Sequence, residues 1–185
     1  RTRHDKVHKH DSSPYHLVLL CENNTGYHNL MKLVSEGFIS GFYNKPRVDT
    51  DLLEKYHEGL ICLSACLAGE VAVNLSEGNY EAAKKTALSY RKIFGEKNYY
   101  LELQDHGIPE QSRIIPHLIR LSAETGIPLI ATNDVHYISK EDARLQKVLL
   151  CIQTGTTLEE PAAVAFPTDE FYMKSGEQMM KLFSS

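Results

Sequence analysis

Tyr80-Glu81-Ala82-Ala83-Lys84-Lys85-Thr86-Ala87-Leu88-Ser89-Tyr90-Arg91-Lys92-Ile93-Phe94, then Gly95-Glu96-Lys97-Asn98, then Tyr99-Tyr100-Leu101-Glu102-Leu103, reads as helix, turn and strand. Tyr80, Ala83, Ala87, Tyr90 and Phe94 recur at helical spacing and form one apolar stripe. Asn79 is placed to cap its start and Gly95 its end. The aromatic run after it is short, as a buried strand is. The same alternation extends in both directions. Upstream, Tyr15 to Cys21 predicts a strand and Tyr27 to Glu36 a helix carrying Leu30, Leu33 and Val34. Asp51 to Tyr56 predicts a short helix capped by Asp49 or Thr50, and Gly59 to Ser64 another strand. Downstream come a helix over Glu110 to Glu124, kinked or divided by Pro116, a strand over Ile127 to Thr132, and a helix over Glu141 to Ile152. A last short helix is expected from Glu177 to Phe183. Strands alternating with helices define an α/β fold whose mostly parallel sheet, joined by crossover helices, is open or barrel-like.

The 185 residues suffice for one domain with a core, and 42% hydrophobic with 24% charged residues is an ordinary globular composition. The net charge of −4 argues against bulk electrostatic binding of nucleic acid by this chain alone. No apolar run approaches the roughly 18 to 20 residues that span a bilayer, so no membrane is expected as a partner. The charged opening Arg1-Thr2-Arg3-His4-Asp5-Lys6 leads into no apolar segment of a signal peptide. Cys21, Cys62, Cys66 and Cys151 are too sparse to staple the chain, and reduced thiols in a cytoplasm are expected. Residues 1–13 form a polar leader, 14–153 the strand-helix body, and 154–185 an irregular exit segment. The first residue is Arg, so a piece of a longer polypeptide is expected.

Chemistry concentrates where strands end, the place of ligand sites in parallel α/β folds. Thr132-Asn133-Asp134-Val135-His136-Tyr137 follows the last strand. In extended backbone, side chains two apart share a face, so Asp134 and His136 could grip one zinc, manganese or iron ion. A hydrogen-bonded strand-end pair is the plainer reading. Cys66, in Ser64-Ala65-Cys66-Leu67-Ala68-Gly69-Glu70, offers a thiolate at a second strand end, against which stands a buried, inert cysteine. Cys62 with Cys66 as a zinc pair lacks a matching second pair. His16 opens its strand, where a satisfied edge residue is commoner than a ligand. His28, His57, His106 and His117 read as surface or cap residues, and His8-Lys9-His10 as a solvated segment. No Walker loop, dinucleotide fingerprint or nucleophile elbow occurs.

Several blocks in order give the chain a family resemblance. Tyr15 to Leu20, Asn23 to Leu30, Gly41 to Arg47, Gly59 to Glu70, Ala131 to Tyr137 and Phe166 to Lys174 are similar to the polymerase and histidinol phosphatase (PHP) domain of the bacterial DNA polymerase III alpha subunit. The likeness runs from about residue 14 to the C-terminus. It implies part of a distorted (β/α)7 barrel with a polynuclear site of divalent metal ions, zinc or manganese. It also carries the ligand roles onto His16, Cys66, Asp134 and His136. The family's first blocks, a His-x-His pair, an Asp-His pair and a Glu, have no counterpart here, so weak or partial metal binding is expected.

The resemblance further implies a place in a DNA-directed DNA polymerase, a nucleotidyltransferase of replication. There the domain would hydrolyse phosphoesters, as a 3′–5′ exonuclease that proofreads. The nucleotidyl-transfer carboxylates belong to the family's downstream palm. Lys45 and Arg47 are candidate phosphate contacts, an ordinary solvated basic loop being the alternative. Implied partners are DNA, through the whole polymerase, with the sliding clamp, the clamp loader and a separate proofreading subunit. Two rivals stand beside this reading. One is a structural brace or docking module without catalysis. The other is a free-standing phosphatase, against which the Phe166 to Tyr172 tail argues.

Overall fold

The computed structural model describes residues 2–7, 13–159 and 166–184. Four strands, β1 (Val18–Cys21), β2 (Leu60–Leu63), β3 (Tyr99–Leu103) and β4 (Leu129–Ala131), form a sheet in the order β1-β2-β3-β4. β2 and β3 are parallel. Leu101 N–H donates to Pro128 O and Thr132 N–H to Leu103 O, an ascending register that makes β4 parallel as well. β1 is the exception in this mostly parallel sheet: it pairs antiparallel with β2, Val18 opposite Leu63 and Cys21 opposite Leu60. It is also shorter than the apolar run that announces it. His16 lies outside the strand and makes a parallel bridge to Gly69.

Seven α-helices occur among the described residues: α1 (Asn24–Ile39), α2 (Thr50–Tyr56), α3 (Glu70–Ser76), α4 (Tyr80–Phe94), α5 (Pro109–Thr125), α6 (Ala143–Thr154) and α7 (Gly176–Leu182). α4 and β3 have the bounds expected of them. α1 begins three residues earlier than its apolar spacing predicts, because Asn23 is an N-cap whose Oδ1 accepts Gly26 N–H at 3.0 Å. Its buried face is also rotated. Gly26, Asn29, Leu33 and Gly37 face inward, whereas Val34 is exposed. At Gly26 a Cβ would lie 1.8 Å from Gly59 O, so the helix start and the turn before β2 cross backbone to backbone.

α2 begins where Asp49 accepts Leu52 N–H, confirming the Asp cap. α3 was not anticipated. It lacks a side-chain cap, and burial of Val71, Ala72 and Leu75 against neighbouring α4 holds it instead. α5 is one helix despite Pro116. A 3-10 turn, Lys140–Asp142, precedes α6.

The chain divides into two compact units, Arg1–Glu102 with His117–Leu129, and Leu103–Pro116 with Ile130–Ser185. In the first unit Leu60, Cys62, Ala83, Ala87, Tyr99, Leu101, Leu121 and Ile127 are fully buried. Each large apolar side chain among them contributes about 1.5–3 kcal/mol. Part of the leader belongs to this unit: Arg3 pairs with Asp49 at 3.0 Å, and Arg47 Nη2 donates to Arg3 O and Asp5 O. His8-Lys9-His10 lies outside the described residues. In the second unit His106, Gln111, Asn133, Tyr137, Leu150, Cys151 and Phe171 are buried.

Candidate metal centre

The loop that leaves β2 brings His16 and Cys66 together. Ser64 N–H continues the ladder to Tyr100 O, after which Ala65 turns into the left-handed region at φ +66°. Gly69 N–H donates to Cys66 O and His16 N–H to Ala68 O, which closes the loop against the segment leading into β1. Cys66 Sγ then lies 3.6 Å from His16 Nδ1. That separation suits a thiol hydrogen bond, and it also suits a shared ion. Zinc bonds of about 2.3 Å to sulfur and about 2.0–2.1 Å to nitrogen, at a tetrahedral angle, put the two donors about 3.5–3.6 Å apart. The donor chemistry therefore fits a thiophilic divalent metal.

Cys62 does not join this pair. It is fully buried in β2, and burial, with the Glu102 carboxylate adding to it, pushes its thiol well above the ordinary range. A protonated core thiol is a small hydrophobe, so the Cys62–Cys66 zinc reading is set aside.

In the second unit the loop after β4 holds Asp134 and His136. The extended backbone from which a shared face was expected is absent: β4 ends at Ala131 and Asp134 has φ +41°. The two residues meet differently. His136 Nδ1–H donates to the backbone O of Asp134 at 2.6 Å, which leaves Nε2 as the lone-pair nitrogen. Phe166 and Phe171 pack on the His136 ring with centroids 4.4 and 5.7 Å away.

A buried polar frame fixes this loop. His106, expected at the surface, is completely buried and stacks on Phe171 at 4.0 Å. Gln111 Nε2 donates to its Nδ1, so its Nε2–H donates to Asn133 O at 2.9 Å. The Asn133 amide donates to Glu170 O and Tyr172 O, and His136 N–H donates to Phe171 O. Lys174 Nζ donates to Asn133 Oδ1 and pairs with Glu170 at 3.0 Å. Lys140 and Lys174 together hold the Glu170 carboxyl below its usual range against the opposing effect of burial. The segment from Phe166 to Lys174 is thus part of what shapes the loop.

Each candidate ligand pair lies within its own unit, His16 with Cys66 and Asp134 with His136. No group of three or more His, Cys, Asp or Glu side chains close enough to hold a metal ion occurs among the described residues. Arg47 is no solvated loop residue. It is buried, stacks on Tyr43 at 5.5 Å and donates to Gly41 O as well as to the leader carbonyls. Lys45 is exposed. Glu102 and His106 escaped the reading of the sequence. The one signal for Glu102 was a charge inside the apolar run of β3, and for His106 its place just beyond a strand end.

Comparison with known proteins shows the family. The PHP domain family matches residues 3–106, more than half of the chain, and the chain belongs to that family. It is also 50% identical over 169 residues to DNA polymerase III subunit alpha of Treponema pallidum, a match covering 91% of this chain and 14% of that protein. The corresponding Deinococcus radiodurans subunit is 43% identical over 182 residues, covering 97% and 14%. That of Thermus aquaticus is 41% identical over 169 residues, covering 91% and 14%. The chain therefore spans about 14% of the length of these curated relatives.

Proposed function

We propose that this chain is the PHP portion of a DNA polymerase III alpha subunit, with His16, Cys66, Asp134 and His136 as ligands of divalent metal, zinc or manganese. The observation that carries the reading is the His16–Cys66 approach at 3.6 Å, a soft donor pair at the spacing a tetrahedral ion imposes. In this reading the sheet forms part of a distorted (β/α)7 barrel, and the parent subunit is a cytoplasmic DNA-directed DNA polymerase. Its partners are DNA, the sliding clamp, the clamp loader and a proofreading subunit. Bound divalent cations would polarise a phosphodiester and lower the pKa of a bound water, the chemistry of 3′–5′ exonuclease proofreading.

The chain's own residues prepare for that chemistry. Ala65 and Gly69 set the Cys66 loop, His136 keeps its Nε2 lone pair free by donating from Nδ1, and Phe166 and Phe171 pack against its exposed ring. Lys45, exposed near the end of its loop, is a phosphate contact in this reading.

The test uses the full-length subunit, its metal content measured beside its 3′–5′ nuclease rate. His16→Ala and Asp134→Ala should each lose metal and lower the rate by at least about tenfold. Retention of both metal and rate in both variants refutes the reading. A second reading, a brace or docking module without catalysis, is favoured by the lack of a three-ligand group among the described residues. It predicts that both variants keep polymerase association and that the wild type has no nuclease activity to lose.

A further inference from the structure

The Cys66 loop is held from beneath by a buried acid that none of the chemistry above uses. Glu102 lies in β3, 5% exposed, between Leu101, which is completely buried, and Leu103, which is partly buried. Its Oε2 accepts the Ala65 N–H at 2.6 Å, and its own N–H donates to Ser64 Oγ at 2.9 Å. We propose that Glu102 is a positioning residue for Cys66: its carboxylate clamps the Ala65 N–H and so fixes the thiol beside His16. The purpose of that clamp rests on the metal reading above, while its geometry does not.

Three observations converge on this role. Ala65 sits at φ +66°, a conformation that a residue with a Cβ adopts only when its surroundings hold it there. Its N–H comes just after Ser64, the last residue of the loop to bond the β3 backbone, so a side-chain oxygen takes over where the ladder stops. A carboxylate is a costly occupant for a buried strand position, and it is offset here by a short, charge-assisted bond to a main-chain donor.

The far side of the loop is fixed separately. Gly69 has no room for a Cβ, which would lie 2.2 Å from Ser64 O, and Ala68 O accepts the His16 N–H at 3.0 Å. Cys66 is therefore suspended between a clamp at Ala65 and a closure at Gly69. Removing the clamp frees the side of the loop that the ladder no longer reaches.

The experiment compares Glu102→Ala, Glu102→Gln and, as a core control, Leu121→Ala in the full-length subunit. In metal-stripped protein, iodoacetamide labelling of Cys66 is followed by peptide mass spectrometry against exposed Cys21. In cobalt(II)-loaded protein, the thiolate-to-cobalt charge-transfer band is recorded. Glu102→Ala should raise the Cys66-to-Cys21 labelling ratio by at least about threefold and lose the band. Glu102→Gln, which keeps an acceptor oxygen, should restore both, and Leu121→Ala should leave both unchanged. An unchanged ratio and band in Glu102→Ala overturns the proposal, as does an equal change in Leu121→Ala. If wild-type protein shows no thiolate band while the labelling ratio still responds to Glu102→Ala alone, the metal reading fails and the positioning role stands.

Discussion

At the scale of the residue, backbone space decides more than side-chain chemistry. Gly26 and Gly59 meet so closely that a methyl group on Gly26 would lie 1.8 Å from the Gly59 carbonyl oxygen. Neither partner in that clash is the end of a flexible side chain, so relief requires α1 to move. Gly26→Ala should destabilise the first unit by about 1–3 kcal/mol, seen as a lower denaturant midpoint with faster amide exchange in α1. Exchange as slow as in the wild type would show that the helix start tolerates displacement. The same scale explains why the candidate ligands were only partly legible. Asp134 and His136 announce themselves by type and by following an apolar run, but the left-handed turn at Asp134 leaves no trace in residue spacing. His16 looked misplaced at the start of a strand. Its parallel bridge to Gly69, a residue more than fifty positions away, is what brings it to Cys66.

At the scale of the element, α4 and α5 are joined by charge. Lys84 of α4 and Arg120 of α5 both contact Glu124, each at 2.7 Å, and Arg91 of α4 donates to the Thr125 carbonyl. The two cations pull the Glu124 carboxyl down from 4.5 to about 2. A depressed folded-state pKa means that the ionised form favours the folded chain. Its stabilisation is complete above pH 4.5 and is lost as pH falls through about 2. An NMR titration should place the Glu124 carboxyl midpoint near 2, moving toward 4.5 in Lys84→Gln and in added salt. A midpoint near 4.5 in the wild type would mean that the pairs are too solvated to matter. α4 was legible because its stripe is long and regular. α3 was not, because a helix of seven residues with a glycine cap carries too little periodicity and owes its existence to packing against α4.

At the scale of the whole molecule, the sheet with its crossover helices was readable from alternation alone, since that rhythm leaves few architectures. The antiparallel β1 was not, because the long connection through α1 and α2 permits either direction. The exit segment likewise read as a tail, although the residues from Phe166 to Lys174 are built into the second unit. Phe171 is central there, 5% exposed and packed on His106, His136 and Phe166. Phe171→Ala should cost that unit about 3–5 kcal/mol and speed amide exchange over residues 133–138. Unaltered exchange would show that the loop after β4 holds its own shape.

Both units are discontinuous, and β3, α5 and β4 each straddle the division. A ribosome that has delivered the chain as far as Pro116 has made most of the first unit but none of His117–Leu129, which carry buried Leu121 and Ile127 and the Glu124 that α4 pairs with. At about 5–20 residues per second, the nascent first unit waits roughly a second for those thirteen residues to be synthesised. During that interval its apolar side is open to whatever holds unfinished chains at the exit tunnel.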